Sequence, residues 1–217
     1  MLNVRDCRVG FIPPVNIFGI PIRRRSMPQY ERSFQPGGTF FFTVVTNFRK
    51  PLFKSPAARR LLGDVLRSVK VVKPFENIAM VLLPDHLHCL WQLPENDSDY
   101  SMRWKMIKGR FTKAWLAGGG KETGRSHVRI RRAERGVWQR RFWEHTVRDE
   151  EELGRILDYI HYNPVKHGHV RCPHDWPFSS FVECVQKGWY QEDWACCCDR
   201  QAEVPTWCVD MKEIAGE

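Results

Sequence analysis

From Leu83 to Leu93 (LPDHLHCLWQL) apolar and polar residues alternate at period two, which predicts a strand. Successive strand side chains point to opposite faces, so His86, His88 and Gln92 share one face. Leu87, Cys89, Trp91 and Leu93 take the other, which suits burial against a helix. Upstream, Thr39–Thr46 (TFFFTVVT) follows a Pro36-Gly37-Gly38 turn and is dense in β-branched and aromatic residues. It predicts a central strand covered on both faces. Phe75–Leu83 predicts a further strand, the hairpin partner of the histidine strand across Pro84-Asp85.

Helical spacing fills the gaps. Ser55 as N-cap and Pro56 at the first helical position open a helix with the stripe Leu61, Leu62, Val65, Leu66 and Val69. Residues 101–117 carry Met102, Met106, Ile107, Phe111, Ala114 and Trp115 on one face, and Arg103, Lys105, Lys108, Arg110 and Lys113 on the other. Gly118-Gly119-Gly120 ends that helix, and the Lys/Arg-rich stretch to Gly136 reads as a mobile loop. Trp138–His145 suits another strand. Glu150–Tyr162 is a helix capped by Asp149, with Leu153, Ile156, Leu157 and Ile160 as its buried stripe and Asn163-Pro164 as its stop. The order strand–helix–strand–strand–helix–strand predicts an α+β fold of the split ferredoxin-like kind, an antiparallel sheet with helices on one face.

The 217 residues then divide into three. Residues 1–36 form an irregular, proline-interrupted basic arm containing Arg23, Arg24, Arg25 and Arg32. Residues 37–170 are the main domain, and 171–217 a C-terminal extension whose tail from Tyr190 has seven acids against Arg200 and Lys212. No apolar run is long enough to cross a bilayer, and Asn3, Arg5, Asp6, Cys7 and Arg8 break up any signal-peptide pattern. The expected location is the cytoplasm, beside the bacterial nucleoid.

Charge sharpens this. The formal net charge is +9, yet Arg103–Arg141 alone holds thirteen basic residues and only Glu122 and Glu134 as acids, an excess of eleven. The rest of the chain sums to about minus two, so the basic character is concentrated in one segment, as expected of a nucleic-acid binder. The eight cysteines include no CxxC pair, and without an export signal they are expected to be reduced thiols packed in the core and tail, not disulfides or a zinc site.

Two imidazoles side by side on a strand, His86 and His88, can hold a divalent metal with positions left open. On the last helix, Tyr159 and Asn163 are four residues apart and share a face. Tyr162 competes with Tyr159, but its i+4 partner is Lys166, which is no metal ligand. A metal with two imidazoles and an amide oxygen polarises a phosphate oxygen. A nearby tyrosine, with its pKa of about 10 lowered by the metal and by cations such as Lys166, attacks phosphorus and conserves the bond energy in a phosphotyrosine. No separate general base is legible.

These residues carry a resemblance. From about Met27 to Trp194 the chain resembles the REP-associated tyrosine transposases, relatives of the single-tyrosine HUH transposases of the IS200-like superfamily. The matching stretches are FQPGGTFFFTVVTNFRKPLF, LPDHLHCLWQL, Arg103–Trp115, VWQRRFWEH and DYIHYNPVKHG. The resemblance implies a ferredoxin-like HUH domain that uses Mg2+ or Mn2+ on single-stranded DNA. It casts His86, His88 and Asn163 as metal ligands and Tyr159 as nucleophile. It also implies that REP-type palindromic hairpins are bound through shape and phosphates, with a short flanking tetranucleotide read by its bases. Backbone contacts are expected from Arg103, Lys105, Lys108, Arg110 and Lys113 and from the segment ending in Arg140 and Arg141, and flank reading from Arg23–Arg25 and Arg32. Trp104, Trp115 and Trp138 are candidates for base stacking, with core packing the competing role and the favoured one for at least Trp115. Two other functions fit the same residues: a domesticated hairpin-binding protein with vestigial cleavage, and a phosphodiesterase that uses the histidines directly. The sequence leaves open whether Tyr159 meets the histidines of its own chain or those of a homodimer partner.

Overall fold

A computed structural model of the chain describes residues 35–124, 126–132 and 134–197. The arm arginines Arg23, Arg24, Arg25 and Arg32, and the tail beyond 197, lie outside the described residues. No helix among those described is long and apolar enough to cross a membrane.

Four antiparallel strands, β1 (Thr39–Val45), β2 (Glu76–Leu82), β3 (His86–Gln92) and β4 (Trp143–Thr146), make one sheet in the order β2-β3-β1-β4. Helix α1 (Pro56–Val72) carries the chain from β1 over β3 to β2, and α2 (Tyr100–Ala117) carries it from β3 over β1 to β4. This is the expected split ferredoxin-like arrangement. Ser55 caps α1 through the Ala58 amide, with Pro56 at the first turn as read from the sequence. The β1–β3 register sets Thr43 opposite His88 and Val45 opposite His86.

The expectation of helices on one face is corrected. Phe40, Phe42, Val44, Leu87, Cys89 and Trp91 pack against α1 and α2, while Phe41, Ala79, Val81 and Leu90 pack against α4 (Glu150–Lys166) on the other side. The reason lies in β1, where three consecutive phenylalanines are fully buried, so apolar surface is presented both ways.

Three local expectations also change. The stretch after α2 is not all loop, since Ser126 caps a short helix α3 (His127–Arg131). Trp138–Gln139 only bridges Thr46, and the strand proper begins at Trp143. Helix α4 does not stop at Asn163. Proline removes one donor, and here that loss falls in the final turn, which closes through His167 N–H to Asn163 O at 3.0 Å. Downstream, Pro173–Asp175 forms a 3-10 turn and α5 (Phe181–Gln186) follows. Ser179 bridges Val81, and the Trp176 indole donates to Leu82 O at 3.0 Å, so this part is joined to the β2 edge.

The cysteine expectation fails at one place. Cys172 and Cys196 are a disulfide-bonded pair, brought together because the chain returns to the turn after α4. Cys89 and Cys184 are buried thiols, as anticipated.

Candidate active site

The site forms where β3 meets α4. Helix α4 is fixed at its N-terminus, where Asp149 caps the Glu152 amide at 2.8 Å and the helix dipole favours the acidic first turn Glu150, Glu151 and Glu152. Glu152 is itself buried. Its carboxylate lies 2.9 Å from His145 Nε2 on β4 and accepts from the Arg148 backbone amide and guanidinium, both at 2.8 Å. Burial alone would raise the Glu152 carboxyl, but the Arg148 and His145 contacts outweigh it and hold the pKa down at about 2. A carboxylate lowered on folding stabilises the fold fully above its unfolded value of about 4.5, and that contribution is lost as the pH falls towards 2. Glu152→Gln is therefore expected to lower Tm at neutral pH and to flatten the loss of Tm between about pH 5 and pH 3 relative to wild type, measured by thermal melting. An unchanged acid slope would remove Glu152 as the clamp.

With α4 so docked, Ile156, Tyr159, Ile160 and Asn163 fall on the stripe facing the sheet, all at most 1% exposed. The Tyr159 ring stands edge-on to His88 at 5.3 Å between centroids and to Phe41 at 6.1 Å. Its hydroxyl accepts from Lys166 Nζ at 3.1 Å, and the ammonium also lies over the ring at 4.7 Å. That contact spans seven residues, two helical turns, and depends on α4 continuing through Pro164. His86 and His88 stand 4.9 Å apart. His86 Nδ1 lies 2.6 Å from Asp85 Oδ1, and His88 Nδ1 lies 2.9 Å from Thr43 Oγ1. In the Nδ1–H tautomer both rings turn Nε2 to the ligand side, the usual way an outer carboxylate or hydroxyl orients a metal-binding imidazole. Burial would raise the Asp85 carboxyl, but His86 and Arg49 (Nη1–Oδ2 3.2 Å) hold it below the ordinary value.

The residues fit a divalent metal. Asn163 is fully buried, and among the described residues neither its amide oxygen nor its nitrogen finds a hydrogen-bond partner. Such an amide costs on the order of 1–3 kcal/mol unless something satisfies it. A hard cation on Oδ1 would do so, and two imidazoles with one amide oxygen leave positions for water and phosphate oxygens.

The other predicted residues separate. Arg103 is not a DNA contact: it is fully buried, forks onto Asp97 at 2.8 and 3.1 Å, and also donates to Pro74 O and Asp99 O. Four residues before Ile107, it belongs to the buried face of α2. Trp104 and Trp138 are buried too, Trp104 stacking on Trp91 at 4.4 Å, so neither is an exposed stacking platform, while Trp115 is half-buried. Lys105, Lys113 and Arg140 are exposed along an open groove of ≈ 1020 Å³ that Lys108, Arg129 and Arg135 also line. Lys108 Nζ donates to the Gln139 and Arg140 carbonyls, and Arg140 pairs with Glu134. Arg141 is exposed, and Arg110 reaches Ser68 instead of the groove.

Two residues escaped the sequence reading. His167, just past α4, brings its ring 5.4 Å from that of His86, and its spacing of four from Asn163 was the available signal. Phe48 is 77% exposed and left-handed (φ 54°, ψ 29°) in the 3-10 turn Asn47–Arg49. A phenylalanine rarely adopts that conformation, and here Asn47 N–H to Val137 O and Arg49 to Asp85 pin it on both sides. An aromatic between polar neighbours gave no signal of its own.

A four-stranded antiparallel sheet crossed by α1 and α2, with α4 laid on its other face, is the fold on which this site is built. The family model described as "Transposase IS200 like" matches residues 38–163. Within that family, the chain belongs to the REP-associated tyrosine transposases. The REP-associated tyrosine transposase of Escherichia coli K12 is 41% identical over 170 residues, 78% of this chain and 92% of that protein. A relative from Haemophilus influenzae is 42% identical over 168 residues, 77% of this chain and 93% of that protein. A solved REP-associated tyrosine transposase bound to a REP hairpin superposes with a TM-score of 0.66 at 41% identity, covering 82% of this chain and 98% of that one.

Proposed function

We propose that this chain binds REP-type hairpins and nicks and rejoins the adjoining single strand through a 5'-phosphotyrosine on Tyr159. The observation that carries this is the Tyr159 ring beside His88 and the His167 ring beside His86, with the buried Asn163 amide between them along α4. His86, His88 and Asn163 would hold Mg2+ or Mn2+, which would supply Lewis-acid polarisation of the scissile phosphate. Tyr159 Oη attacks phosphorus, the bond from phosphorus to the 3' oxygen breaks, and that oxygen leaves as a hydroxyl. Lys166, already on the phenol oxygen, balances charge as it develops there. Attack of a 3'-hydroxyl on the phosphotyrosine reverses the step and restores a phosphodiester without ATP.

The test is the covalent adduct with a labelled REP oligonucleotide in Mg2+, seen on a denaturing gel. Wild type is expected to form it and Tyr159→Phe to form none. An adduct retained in Tyr159→Phe overturns the assignment. Tight binding by wild type with no cleaved product under any metal would instead favour the hairpin-binding reading.

Phe48 fits the same function as a platform for an unpaired base, exposed next in sequence to Arg49, which pairs with the Asp85 that contacts His86. Stacking contributes about 1–3 kcal/mol, so Phe48→Ala should weaken binding of a hairpin with a single-stranded flank about tenfold. Binding of the bare hairpin should not change, and Phe48→Trp should restore the flank effect in fluorescence anisotropy. Equal losses on both DNAs would contradict it.

A further inference from the structure

We infer that Cys172, His174 and Cys196 form a zinc site that ties the C-terminal segment to the turn after α4. The ligand atoms of these three residues all lie within 4.8 Å of one another. His174 Nδ1 is 3.8 Å from Cys196 Sγ, close to the edge of about 3.6 Å that tetrahedral zinc sets between a thiolate and an imidazole. The opposite ring nitrogen, Nε2, is 3.2 Å from Asp175 Oδ1. With Nε2–H donating to that carboxylate, Nδ1 turns its lone pair towards the sulfurs, the carboxylate–histidine–zinc arrangement. Nδ1 also lies 3.0 Å from Glu192 O, a contact that belongs to the other tautomer and is given up when metal binds.

The Cys172–Cys196 disulfide and the metal site are alternative states of one sulfur pair. A DNA transposase acts where the DNA is, and there thiols are kept reduced. The newly made chain carries two thiols at this point, and zinc binding displaces one proton from each, with no change of oxidation state. Two thiolates and an imidazole are a donor set that selects zinc over magnesium or manganese, with water in the fourth position. The site is distinct from the β3 imidazoles in residues and in chemistry. Its structural consequence is local: Cys197 N–H bonds Arg171 O at 2.9 Å, and the Tyr190 hydroxyl donates to Asp158, next to Tyr159, at 2.7 Å. Anchoring Cys196 therefore holds in place a segment that touches the nucleophile's helix.

The test uses the full chain carrying His86→Ala and His88→Ala, so that metal at the β3 histidines does not contribute. Purified under a phosphine reductant without chelator, it is expected to carry about one zinc per chain by elemental analysis. Replacement by Co2+ should give a thiolate-to-cobalt charge-transfer band, which the β3 histidines cannot produce. Adding Cys172→Ser and Cys196→Ser should abolish both signals, and a chelator should lower Tm in the parent but not in that variant. Absence of zinc and of the band in the parent overturns the site even if the cysteine variant fails to fold. So does a Cys172–Cys196 disulfide in protein whose thiols are alkylated at the moment of lysis.

Discussion

His86→Ala and His88→Ala are each expected to lower strand cleavage by at least about a hundredfold while leaving hairpin affinity within about twofold. On the proposed reading each imidazole is one of three protein donors to the metal, and its loss would weaken polarisation of the phosphate at Tyr159. Affinity survives because the groove that carries Lys105, Lys113 and Arg140 is lined by none of the junction residues. Cleavage of a labelled hairpin substrate and anisotropy with the same DNA separate the two effects. The milder companions Asp85→Asn and Thr43→Val should reduce cleavage about 10–100-fold by loosening ring orientation. If the histidine variants cleave normally, the metal reading of the junction is wrong. If they lose binding in step with cleavage, the histidines contact DNA directly.

Arg103→Ala is the second large effect, and it is one of stability. The guanidinium is fully buried and joins the Asp97 carboxylate, the end of the α1–β2 turn at Pro74 and the first turn of α2 at Asp99. Its hydrogen bonds hold the Asp97 carboxyl below the ordinary value. Removing one partner of a buried pair costs about 3 kcal/mol, with Asp97 partly solvated. For a domain of this size that is a fall in Tm of roughly 6–12 °C. The salt dependence of hairpin binding, measured below the melting range, should match wild type. Lys105→Ala with Lys113→Ala should do the reverse, leaving Tm unchanged and making the salt slope shallower. A fully stable Arg103→Ala protein with weakened DNA binding would return Arg103 to the interface.

What the sequence carried well was periodicity. Alternation through His86 and His88 placed both rings on one face of β3, and the spacing of Tyr159 and Asn163 placed them on one stripe of α4. Both are consequences of backbone geometry within a single element. What failed depended on partners distant in the chain. Arg103 was assigned to the charged face of α2 because it is charged, whereas Asp97 and the Pro74 carbonyl give it a buried place. The face taken by α4 follows from the two-sided apolar surface of β1, which was legible, but the side each helix occupies was not. Pro164 marked a helix end that tertiary packing carried past, and through that extra turn Lys166, already read as a cation for the tyrosine, reaches the Tyr159 hydroxyl. Cys172 and Cys196 meet across a sequence separation of 24 that includes a 3-10 turn and α5, a closure that no local pattern encodes.

The placement of helices on both sides of the sheet has a metric consequence. The basic groove borders α2 on one side, and Tyr159 lies beneath α4 on the other. On the proposed reading, DNA seated in the groove reaches the tyrosine only by running unpaired round the rim of the sheet. The protein is then a ruler: the number of nucleotides between the foot of the hairpin and the nick is set by the girth of the fold. Shortening that spacer should abolish cleavage abruptly, whatever its sequence, because the strand no longer spans the distance.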